Sequence, residues 1–133
     1  MSQGGGSRAP VVVDYARALK GLSAWGEAER VARFGVTEFP TESAFPLVLG
    51  ETFLEQARWL EAQPWFQRAL TLAPASAEAH YGLGRVALGQ GRRAEAIRHL
   101  QRAAQYNPYH REALELLDRL QQAAAAPGPG GAT

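Results

Sequence analysis

Apolar residues along this chain recur at helical rather than strand spacing. Leu83, Ala87 and Leu88 share one helical face, and Ile97, Leu100 and Ala104 share another. Gly91 separates the two runs. Pro108 closes the second, because the residue before a proline avoids helical dihedrals. The same alternation of apolar face and breaker predicts helices over roughly 10–21, 25–38, 43–56, 59–72, 77–89, 93–106 and 111–125.

The breakers are periodic. Pro40, Pro74 and Pro108 are spaced by 34 residues and again by 34. Sliding residues 43–76 onto 77–110 makes eleven positions identical. Among them are Leu49 on Leu83, Gly50 on Gly84, Arg58 on Arg92, Glu61 on Glu95, Ala62 on Ala96, Ala69 on Ala103 and Pro74 on Pro108. Residues 9–42 fit the same frame more weakly, through Trp25, Glu27, Ala28, Thr37 and Pro40. Each unit reads as helix, turn, helix.

Small residues recur where paired helices must approach: Ala16, Ala28 and Gly35, then Gly50, Ala62 and Ala69, then Gly84, Ala87, Ala96 and Ala103. Pro46 falls in a first helical turn, where its missing N–H costs little. Pro64 lies deeper and is expected to delay or kink its helix. Gly26 and Gly35 are expected to weaken the second helix by about 1 kcal/mol each. The first unit is therefore the one expected to fray.

These features resemble the tetratricopeptide repeat family. The stretch AEAHYGLGRVALGQGRRAEAIRHLQRAAQYNP at 77–108 resembles its motif through Leu83, Gly84, Gly91, Ala96, Leu100, Ala103 and Pro108. His80 stands where the family usually has tryptophan, and Pro46 holds that phase one unit earlier. The resemblance implies an all-α, right-handed α-solenoid of three helix-turn-helix units (9–42, 43–76 and 77–110). A capping helix follows at 111–125, with Arg111, Glu112, Glu115, Asp118 and Arg119 on its polar outer face. One domain is expected over 9–126, with disordered tails at 1–8 and 127–133.

The resemblance also implies a concave groove lined by the first helix of each unit, where the family holds a partner segment. The repeat frame gives three rows along it. They are Val13, Leu47, Tyr81 and Glu115; Arg17, Glu51, Arg85 and Arg119; and Lys20, Leu54, Leu88 and Gln122. The expected partner is a protein or peptide with apolar anchors and an acidic group. Tyr81 and Arg85 are the expected centres of affinity. Leu54 and Leu88 equally fit packing between units, and the arginine row fits a solvated face with Glu51 paired to Arg17 or Arg85. A subgroup of the family clamps a C-terminal carboxylate with polar and basic groups. Here Val13, Val48 and Glu112 hold those positions, so the sequence does not resemble that subgroup.

Composition narrows the classes. Fourteen basic residues against thirteen acidic ones give a net charge of +1, with no global pull toward nucleic acid or membrane. The third unit is locally basic. Arg85, Arg92, Arg93, Arg98 and Arg102 face Glu78 and Glu95, a net of +3, without interleaved aromatics for nucleic acid. Arg98 and Arg102, one turn apart, fit an acidic partner or phosphates, or simply solvent. With no cysteine, thiolate chemistry is excluded. His80, His99 and His110 lack zinc-ligand spacing, so no metal or other cofactor is expected. No serine sits in a nucleophile motif, and no glycine run has phosphate-loop context, so an enzyme is not expected. No apolar run nears the 18 or so residues of a membrane span, and no signal peptide is read, so membrane insertion is not expected and a cytoplasmic place is. The Ala, Arg and Gly bias fits a GC-rich bacterial genome. A self-associating scaffold is the competing reading, through Val11, Val12, Tyr15 and Leu19 on the first helix.

Overall fold

The computed structural model describes residues 7–125, so most of both expected tails lies outside the described residues. The chain divides into two compact units, one ending at Pro74 and the other beginning at Ala75. The first holds α1 (Ala9–Gly21), α2 (Trp25–Glu38), α3 (Ala44–Leu54) and α4 (Trp59–Leu72). The second holds α5 (Ala77–Gly89), α6 (Arg93–Tyr106) and α7 (Arg111–Ala125). No strand occurs among the described residues.

The 34-residue period reappears in the backbone. Ser23, Ala57 and Gly91 all take positive φ, at 58°, 58° and 77°. Each follows the first helix of its 34-residue repeat. The next N–H then turns back onto the helix: Ala24 to Leu19 O at 2.9 Å, Arg58 to Phe53 O at 3.0 Å, and Arg92 to Ala87 O at 2.7 Å. This is the Schellman closure, which satisfies a helix-end carbonyl and reverses the chain. It also ends α3 at Leu54, two residues before the apolar pattern predicts.

Helix pairs meet at matched small and large positions. Ala16 and Ala32 are both fully buried between α1 and α2. One repeat later a Cβ on Gly50 would lie 2.8 Å from the Phe66 ring, and one further a Cβ on Gly84 would lie 3.0 Å from Leu100. Glycine on the first helix makes room for the large side chain of the second.

Phe45 ties the first unit together. It clusters with Ala9 and Val13 of α1 and with Val36, and stacks on Phe39 at 5.7 Å between centroids. Its ring sits against Gly35 so closely that a Cβ there would overlap it. Gly35 therefore seats an aromatic ring, which outweighs its low helix propensity. Helix α3 is buried almost all round, including Thr52, whose Oγ1 finds no hydrogen-bond partner among the described residues.

Pro64 does not delay α4, which starts at Trp59 and continues through the proline. Leu60, four residues before it, is 79% exposed. Solvent can therefore serve the carbonyl that the proline leaves unbonded. In the second unit, Tyr81 of α5 and Leu116, Leu117 and Leu120 of α7 pack on Ala77, Leu100, Ala103 and Ala113. The charged residues Arg111, Glu112, Glu115, Asp118 and Arg119 face outward. Ser76 caps α5 by accepting from the Ala79 N–H at 3.1 Å, and His110 caps α7 by accepting from Ala113 N at 3.2 Å.

Candidate functional site

The first-helix faces of the two units carry the residues singled out by the repeat frame. In the first unit α1 and α3 supply six of them. Val13, Leu47 and Leu54 are buried, Leu54 to 3% exposure. They pack rather than face solvent. Arg17 is exposed. Lys20 Nζ donates to Glu51 Oε1 at 3.0 Å, with both side chains about three-quarters buried (27% and 23% exposed). Glu51 thus pairs across α1 and α3 with Lys20. Lys20 lies nearly a turn beyond Arg17 and its stem is long enough to lie along the helix.

In the second unit α5 and α7 supply the rest. Tyr81 is half-buried, with its ring 4.9 Å from the His110 ring. The Arg85 guanidinium lies 5.7 Å from the Tyr81 centroid, a cation–π distance. Leu88 is half-buried and Arg119 is exposed. The side chains these faces offer to solvent are thus mainly charged, with Tyr81 and Leu88 as partly accessible apolar groups.

Sequence reasoning missed a second cluster. His80 of α5 and His99 of α6 are nineteen residues apart, yet their Nδ1 atoms lie 3.5 Å apart. Tyr106 stacks on His80 with centroids 5.6 Å apart. Glu95 Oε2 stands 3.9 Å from His99 Nε2. Burial holds the His99 imidazolium below its usual pKa; Arg98 and Arg102 push the same way, and Glu95 opposes them. The missed signal was phase: two repeat lengths earlier the same positions, Val12 and Val31, also line one crevice. Among the described residues no group of three or more His, Asp or Glu side chains is placed to hold a metal ion. Nor is any helix among them long and apolar enough to cross a membrane.

The sequence profile of the tetratricopeptide repeat family matches residues 47–111. The first tetratricopeptide domain of Spaghetti (RPAP3), solved with an HSP90 peptide, superposes with a TM-score of 0.80 at 18% identity. That match covers 90% of this chain and 94% of that one. Residues 47–111 belong to the tetratricopeptide repeat family. Two further structures share this repeat fold. The type III secretion translocator chaperone SycD of Yersinia enterocolitica, solved as an alternative dimer, has a TM-score of 0.82 at 13% identity, covering 92% of this chain and 98% of that one. A mutant O-GlcNAc transferase of Thermobaculum terrenum has a TM-score of 0.84 at 22% identity, covering 98% of this chain but 25% of that one. Among curated proteins, the O-mannosyl-transferase Tmtc1 of Drosophila melanogaster is 34% identical over 80 residues, 59% of this chain. The chain spans only 9% of that protein's length.

Proposed function

We propose that the chain is a non-catalytic protein-interaction module of the cytoplasm, acting as an adaptor, chaperone or assembly factor. It binds a partner segment on the first-helix faces of its repeats. The observation that carries this reading is the Tyr81–Arg85 pair, a partly exposed ring beside a guanidinium. Tyrosine and arginine dominate the energetics of such surfaces. With Arg17 and Arg119 exposed on the same class of helix, the matching segment carries acidic groups. The neighbours solved with a peptide or as a chaperone agree with the reading without fixing the partner.

The test is capture from native lysate, followed by affinity measurement on the captured partner's isolated segment. The variant is Arg17→Glu, Arg85→Gln, Arg119→Glu. Leu47→Glu is unsuitable, because it would place a carboxylate in the core and report on folding. Loss of affinity by about tenfold or more in the folded variant is expected. Equal affinity of both proteins would place the interface elsewhere.

One observation favours self-association as a second reading. Val12, Tyr15, Val31 and Phe34 line an open apolar crevice of about 310 Å³ between α1 and α2, with Arg30 at its edge. Tyr15 and Phe34 are each more than half exposed. Light scattering on the whole chain should then show a dimer that Phe34→Glu dissociates. A strict monomer at high concentration would exclude it.

A further inference from the structure

The crevice between α5 and α6 is lined by a different chemistry from its repeat equivalents. It encloses about 580 Å³, with His80 contributed by α5 and Arg98, His99, Gln101, Arg102 and others by α6. Two repeat lengths earlier, the positions of His80, Arg98, His99 and Arg102 are held by Val12, Arg30, Val31 and Phe34. Those residues line the apolar crevice of the first unit. In the middle repeat, the position of His99 is held by Trp65. Its indole lies 5.5 Å from the Arg33 guanidinium and 5.8 Å from that of Arg68. The third repeat has neither the apolar lining nor the indole. Each arginine has one repeat counterpart, Arg30 for Arg98 and Arg68 for Arg102, but only the third repeat joins both arginines to two imidazoles.

The charges there are unbalanced. Arg98 and Arg102 are exposed, one turn apart, and neither makes an ion pair among the described residues. Glu95 is the one carboxylate in the lining, and it is already shared between Arg92 Nη1 at 3.8 Å and His99 Nε2 at 3.9 Å. Two guanidiniums about 5–6 Å apart at their Cβ atoms can fork onto one tetrahedral anion. A carboxylate offers them two oxygens and one charge. A phosphoryl group offers three oxygens and about −1.5 to −2. The volume exceeds what inorganic phosphate fills and lies in the range of small-ligand pockets. We propose that this crevice binds a phosphate monoester, with Arg98 and Arg102 on the phosphoryl oxygens and the His80–His99 pair beneath.

The imidazole gives a reporter. His99 is faced by His80 from α5 and by Glu95, Arg98 and Arg102 from α6. A bound dianion offsets the two arginines, so protonated His99 becomes more favourable and its titration midpoint rises. The full-length chain is titrated by NMR at constant ionic strength with inorganic phosphate, adenosine monophosphate and a short phosphoserine peptide. The unphosphorylated peptide is the control. We expect saturable binding of at least one monoester, with the His99 midpoint raised. In R98Q/R102Q, affinity falls by about tenfold or more and the midpoint stays put. Both substituted side chains are exposed, so the variant keeps its helicity by circular dichroism. Tighter binding of the nucleotide assigns a small-molecule ligand, and tighter binding of the phosphopeptide a protein-borne one. If no monoester saturates, or R98Q/R102Q binds as well as the parent, the proposal is overturned.

Discussion

Gly35→Ala is expected to destabilise the chain by about 3 kcal/mol, and Gly26→Ala to stabilise it by about 1 kcal/mol. Both glycines lie in α2, so helix propensity alone predicts the same gain at each. The surroundings decide otherwise. A Cβ on Gly26 meets only Arg30 Nη1, at 3.9 Å. It removes backbone freedom from the unfolded chain and touches nothing that must move. A Cβ on Gly35 meets three atoms of the Phe45 ring. That ring is fully buried, stacked on Phe39 and packed on Ala9 and Val13. It has no exposed side toward which to swing, so the helix or the ring must leave its place. Overpacking of a closed core costs about 1–3 kcal/mol, and this site belongs at the upper end. Urea unfolding followed by circular dichroism measures both. A neutral or stabilised Gly35→Ala would mean that α2 does not rest on Phe45.

Ser23→Gly and Ala57→Gly are each expected to stabilise the chain by about 0.5–1 kcal/mol, and Gly91→Ala to destabilise it by about 1 kcal/mol. The three positions share one backbone geometry, left-handed at 58°, 58° and 77°. For a residue with a Cβ that conformation costs about 1–2 kcal/mol, partly recovered because glycine loses more entropy on folding. Gly91 has no atom within 4 Å of a Cβ, so its substitution reads the backbone cost alone. Thermal or urea unfolding of the Ser23→Gly, Ala57→Gly double variant should show a gain of about 1–2 kcal/mol, the sum of two separate backbone effects in different turns. A loss there would mean that these turns do not take the left-handed form in solution.

Much of this architecture was legible in the sequence, and the reason lies in particular residues. Pro40, Pro74 and Pro108 set the frame, and the helices begin and end within one or two residues of where the frame puts them. Three things were not legible. Ser23 and Ala57 hold positive φ without the glycine that announces it, because the Schellman bonds impose the turn. Gly35 read as a weak helix residue, because nothing local reveals that a ring ten positions later needs its space. The His80–His99 pair was hidden because contacts between helices follow the repeat phase and not the ligand spacings of a single helix. For the first-helix faces, the frame located the residues but not their depth. Only packing shows that Val13, Leu47 and Leu54 lie in the core while Arg17 and Arg119 face solvent.

The near-complete burial of α3 has a consequence for how damage to this chain would appear. Nine of its eleven residues, including Phe45, Leu47, Val48, Leu49, Phe53 and Leu54, are buried. A helix without a polar face has no half-open state that water tolerates. Whatever loosens α1, α2 or α4 uncovers a short apolar segment with one proline and one carboxylate to interrupt it, the composition that drives chains to stick to one another. Injury to the first unit would therefore register as lost soluble protein, through aggregation and clearance, before it registered as weakened recognition of a partner.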